Sequence, residues 1–142
     1  MGQQQLLLVI LVTIIVGIAT VVAINVFGTS AKSANEDMVR QDMLVISSAS
    51  QGYFIKPAMM GGGANTFTDM DFNDFNFPAE GINEAGDVAW NMNGTYIIDT
   101  SVGTSYTITG HPASCDGYTE GTGGCAAPLE ATVSQNDINW GS

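Results

Sequence analysis

Basic residues are nearly missing from this chain. Lys32, Arg40 and Lys56 stand against fourteen Asp and Glu, for a formal charge of −11 over 142 residues. Nucleic-acid backbones recruit a positive surface, so nucleic acid is not an expected partner. Histidine occurs once, as His111 beside Pro112, and reads as a solvated turn residue rather than a general base. Cysteine occurs twice, at Cys115 and Cys125. Two thiols are too few for a structural zinc site, and without a CxxCH run there is no covalently held haem. No Ser or Cys stands at a recognisable nucleophile spacing, and no phosphate-binding loop appears. Aromatics are missing from 28–52, a gap of about 39 Å between Phe27 and Tyr53 at helical rise, which leaves electron relay through stacked rings without stepping stones. The expectation is a protein that is not an enzyme and carries no cofactor.

Charge is also missing from the whole of 1–31, and there the absence is informative. Leu6 to Ile24 reads LLLVILVTIIVGIATVVAI, which as a helix rises about 28 Å and matches the roughly 30 Å hydrocarbon core of a bilayer. A cleaved secretory signal has a basic start and a shorter apolar core; MGQQQ has no Lys or Arg. The positive-inside rule does not orient the span, because Lys32 and Arg40 lie among Glu36, Asp37 and Asp42. A disulfide between Cys115 and Cys125, closing a short Gly-rich loop, places the rest of the chain in an oxidising compartment.

Apolar residues keep helical spacing beyond the span. Ala31, Ala34, Met38, Val45 and Ala49 form one stripe, and Val39, Met43, Ile46, Ser50 and Tyr53 a neighbouring one. Gly28 weakens the junction by about 1 kcal/mol relative to Ala. Pro57 ends the helix, and the glycines at 61–63 read as a flexible hinge. One helix is expected from about residue 3 to 55, apolar all round in its first half (1–27) and amphipathic in its second (28–56).

Residues 57–142 read as a small turn-rich head. Phe67, Phe72, Phe75 and Phe77 anchor an irregular connector. Val88, Trp90 and Met92 share a strand face, and Asn93-Gly94 signals a hairpin. TYIIDT at 95–100 follows, with a second turn at Val102-Gly103. SYTIT at 105–109 turns Tyr106 and Ile108 inward. After the cysteine loop, LEATVS at 129–134 alternates again, and Ile138 and Trp140 close the chain. The expected fold is α+β, a long N-terminal helix packed on an antiparallel β-meander of three to five strands. A sheet this small has too little core to stand alone, so the amphipathic half-helix is expected across its apolar face.

This organisation resembles the type IV pilin-like filament subunits. Those share an apolar N-terminal helix continuing into an amphipathic half, a small antiparallel sheet and a disulfide near the C-terminus. QLLLVI at 5–10 sits where typical bacterial pilins carry Glu before a similar apolar run, and the MGQQQLLL opening looks like a divergent bacterial branch. The departures are Gln5 in place of the glutamate and no basic leader; both Met1 and Gln3 are possible mature N-termini. The resemblance implies a major pilin that polymerises with itself through helix bundling. It leaves membrane lipid for the filament core with the help of a prepilin peptidase, an assembly ATPase and a platform protein, and ends at the cell surface. The assembly residues are then Met1, Gln5, Leu6, Leu7, Val9, Ile10, Gly17, Ala19 and Ala23; Gly17, Ala19, Thr20 and Ala23 are small enough for close helix approach. Gln5 either accepts a neighbouring subunit's amine or caps the membrane edge. Two alternatives stay open: a minor pseudopilin of a secretion system, and an anchored extracytoplasmic binding domain that never polymerises.

Two further motifs are present. Asp69, Asp71, Asn73 and Glu80 occupy positions 1, 3, 5 and 12 of a calcium loop, but Asp74 stands where a Gly is needed and Pro78 intrudes; a solvated loop competes with that reading. Asn93-Gly94-Thr95 is a glycosylation sequon.

Overall fold

The hydropathy break near residue 30 divides the chain physically. In a computed structural model describing residues 2–101 and 103–141, contacts separate into compact units at 1–34 and 35–142. Met1 and Val102, and with them an expected assembly residue and half of an expected turn, lie outside the described residues. A single helix, α1 (Gly2–Ile55), contributes to both units. It passes Gly17 and Gly28 without a break.

In the second unit the helix buries one stripe only. Val39, Met43, Ile46, Ser50 and Phe54, spaced three and four apart, are buried along with Ser47, and Tyr53 is half-buried. Of the other expected stripe, Met38 and Val45 remain exposed and Ala49 is half-buried; Ala31 and Ala34 are exposed in the first unit. One sheet covers one helical face, and Met38 and Val45 lie off it.

The sheet has six strands in sequence order: β1 (Gly81–Ile82), β2 (Val88–Asn91), β3 (Gly94–Asp99), β4 (Ser105–Pro112), β5 (Leu129–Ser134) and β6 (Ile138–Trp140). Every pairing is antiparallel. It is the expected meander with one strand more than anticipated, because β1 lies inside the segment read as irregular. Ala89, Tyr96, Ile98, Tyr106, Ile108, Ala131 and Val133 form one core with the helix stripe. Each large buried side chain contributes about 2 kcal/mol by transfer. The connector phenylalanines join that core: Phe67 lies 4.7 Å from Phe54 and 5.1 Å from Tyr106, and Phe77 5.3 Å from Tyr96, centroid to centroid.

Two expectations, the hairpin position and the glycine hinge, are corrected. Strand β2 puts Val88 and Trp90 on one face, half-buried, and turns Ala89 inward; Met92 lies in the turn that follows and is 84% exposed. Alternation fixes two faces without saying which is inner. Ala89 is paired to the buried Tyr96, and Trp90 packs against Gly81 and Gly121 on the opposite side. The hairpin loop is Met92-Asn93, since Asn91 pairs with Gly94; Asn91 Oδ1 accepts from the N–H groups of Asn93 and Gly94, 2.9 and 3.2 Å. This is an Asx turn. The glycines at 61–63 are not a loose hinge but a hydrogen-bonded close to α1. Gly63 N–H donates to Tyr53 O at 2.9 Å and Asn65 N–H to Phe54 O at 2.8 Å, satisfying carbonyls the helix end leaves open. Gly61 takes the left-handed conformation, φ +75°.

Candidate assembly surface

The first unit is a helix in which every described residue is exposed. Leucine, isoleucine and valine dominate it, with Leu6 at 62% and Ile24 at 67% exposure. Gln5, Leu6, Leu7, Val9, Ile10, Gly17, Ala19 and Ala23 all lie on this surface, and added Cβ atoms at Gly17 and Gly28 would meet nothing within 4 Å. By length and composition α1 is able to cross a membrane.

Its three threonine hydroxyls are turned inward on the backbone. Thr13 Oγ1 donates to Ile10 O, Thr20 Oγ1 to Val16 O and Thr29 Oγ1 to Asn25 O, at 2.8, 2.8 and 3.0 Å. A hydroxyl bonded to a carbonyl one turn back asks nothing of its surroundings. The surface is thereby fitted to an apolar medium, whether lipid or other helices.

The second unit holds its part of α1 with polar anchors that the sequence reading passed over. Asp42 entered the sequence reading only as one of the acids beside Lys32 and Arg40. Its Oδ2 accepts from Tyr96 Oη at 2.6 Å, Asn93 Nδ2 at 2.8 Å and Asn91 Nδ2 at 3.0 Å. Asn35 Nδ2 donates to Asn93 O and Asn35 Oδ1 accepts from Ser114 N–H, 3.0 and 3.1 Å. Ser50 Oγ donates to Ser47 O and pairs with Tyr106 Oη, both at 2.7 Å. Burial, then the Asp42 carboxylate, raises the Tyr96 pKa well above the ordinary phenol value; burial pushes Tyr106 up to about 12 against the opposing Ser50 and Ser47 bonds. A carboxylate at the centre of three donors was detectable only as an acid at amphipathic spacing, and nothing local marks it.

The disulfide loop is a second structural lock. Cys115 and Cys125 are bonded. Tyr118 Oη lies 3.1 Å from Thr95 Oγ1, and Gly121 N–H donates to that same oxygen at 3.2 Å. His111, expected in a solvated turn, is on β4 and buried; its Nδ1 accepts from Cys125 N–H at 3.3 Å. Burial lowers its pKa, with Glu130 opposing.

The remaining sequence candidates are not brought together. Asp71 Oδ1 accepts from Asn73 N–H and Asp74 Oδ2 from Asp71 N–H, as a local turn, while Glu80 N–H donates to Trp90 O beside β1. Among the described residues no three acidic, His or Cys side chains form a group able to hold a metal ion. The Asn93 sequon nitrogen is engaged by Asp42, which a glycosyl transfer would have to break.

No protein-family model, curated protein or solved structure matches this chain.

Proposed function

We propose that this chain is the structural subunit of an extracellular, type IV pilin-like filament. The helix of residues 2–27 rests in membrane lipid before assembly and among copies of itself afterwards, and the sheet-bearing unit stays in water at the cell surface. The observation that carries this reading is the fully exposed apolar helix with its threonine hydroxyls already satisfied. Such a surface needs an apolar environment on all sides, and small residues such as Gly17, Ala19 and Ala23 admit close helix neighbours. The exposed Met38 and Val45 extend the apolar surface past the span. Assembly would draw on a leader peptidase, an assembly ATPase and a platform protein.

The test separates a polymer from an anchor. Ala19→Leu with Ala23→Leu keeps the span apolar enough for insertion but blocks close packing. Electron microscopy of sheared cells is expected to show thin filaments with the parent chain and none with the variant, while both proteins fractionate with the membrane. Filaments from the variant at parental abundance would overturn the bundling reading. A parent chain that stays in the membrane fraction without filaments would leave an anchored head.

A further inference from the structure

All fourteen acidic residues lie between Glu36 and Asp137, a stretch whose only bases are Arg40 and Lys56. Arg40 is also the only guanidinium in the chain. Among the described residues it forms no ion pair. Its guanidinium carbon lies instead 5.5 Å from the ring centre of Trp140 on β6. A guanidinium held over a ring carries five N–H donors in a fork that suits two-pronged binding of a carboxylate. The pair borders a cavity of about 320 Å³ completed by Pro128, Leu129, Glu130 and Gly141. A separate cavity of about 470 Å³ carries Asp69, Asp87 and Asp99 on its walls, with Thr68, Thr100 and Ser101. The two share no lining residue.

We propose that Arg40, seated on Trp140, docks against the Asp69–Asp87–Asp99 cleft of a second copy of this chain. The inference rests on the filament reading and specifies one of its contacts. Charge complementarity selects the occupant: copies of so acidic a unit repel each other wherever acid meets acid, and the oriented arginine is the donor array best suited to reverse that sign locally. In the filament reading each copy gives its arginine to one neighbour and its cleft to the other, a heterologous contact that generates an open helical polymer where the rotation does not close, in contrast to a reciprocal pairing, which stops at the dimer. Exposed ion pairs are screened by salt, so the contact weakens as ionic strength rises.

The experiment uses the full chain in its own cells. Arg40→Cys combined with Asp99→Cys, treated with a mild oxidant, is expected to give a ladder of dimer, trimer and higher bands on a non-reducing gel, collapsing in reductant. Arg40→Glu is expected to lower filament yield at least tenfold, and Arg40→Glu with Asp99→Arg to restore it. Melting curves of the purified variants, unchanged from the parent, show that folding is not what fails. A ladder that stops at dimer overturns the head-to-tail pairing. So does full assembly of Arg40→Glu, or the absence of a ladder in cells that make normal filaments; each leaves the filament reading standing. A parent strain without filaments removes the filament reading itself.

Discussion

At the residue scale, Asp42 connects the helix to the sheet. It is the acceptor for three side-chain donors from β2, the following turn and β3. Removing it strands the hydroxyl of the buried Tyr96, and hydrogen bonds to charged groups contribute roughly 1.5–3 kcal/mol each. Asp42→Ala is expected to destabilise the fold by about 2–4 kcal/mol, with Asp42→Asn intermediate, measured by denaturant unfolding in detergent. His111 sets a pH dependence. Its folded pKa lies below the ordinary 6.5, so the unfolded chain takes up the proton first as pH falls. Stability is full above about pH 6.5 and is lost as pH drops through the interval between the ordinary and the lowered value. Protonation at Nδ1 also removes the acceptor for Cys125 N–H. Faster hydrogen exchange at 113–126 on acidification, absent in His111→Asn, checks this. Neither residue was legible in sequence. An acid at helical spacing and a histidine beside a proline look like solvated positions until the sheet arrives over them.

Elements were more legible, and the reasons differ between them. The helix and its end at Pro57 follow from local signals, continuous apolar character and a residue type that stops helices. Strands β3, β4 and β5 follow from alternation, which also placed Tyr106 and Ile108 inward. Strand β1 did not, because Gly81–Ile82 is too short to carry a period. Which face of β2 is inner did not follow from alternation, since the inward residue there is the small Ala89 and tryptophan is not obliged to be core. The glycines at 61–63 look like freedom in a sequence but close the helix end, and Gly110, which no sequence signal singled out, marks a close approach: a Cβ there would come within 2.7 Å of Met43 Sδ and 2.8 Å of Val39 Cγ1. The disulfide loop tests how far elements are independent. Reduction is expected to cost a little under about 3 kcal/mol in the chain-entropy model. It should loosen 113–127, which Thr95, Tyr118 and His111 also hold, while the α1–sheet core persists. Amide exchange under reductant distinguishes loop from core; loss of protection along 39–54 would contradict that independence.

For the whole molecule, the division at residue 34 lies close to a change in composition. Residues 1–31 carry no charge, and all fourteen acids follow. That partition was readable directly, because membrane compatibility is a property of composition, whereas the placement of cations against rings is not. The charge has a collective consequence. Assembled copies would present a dense negative exterior that keeps one filament from another at low ionic strength. Millimolar magnesium, or acidification into the carboxylate range, is expected to bundle them, seen as a rise in light scattering that a chelator reverses in the magnesium case. The meander order of the sheet bears on how such a chain is made. Each strand pairs only with the strand before and after it, so no pairing waits for a distant segment of the polypeptide. Topologies with near-neighbour contacts fold quickly. Helix α1 leaves the ribosome first and the strands then arrive in the order in which they bond. With just two cysteines there is also a single intramolecular way to oxidise them, so forming the bond requires a thiol oxidant but gives a disulfide isomerase nothing to correct.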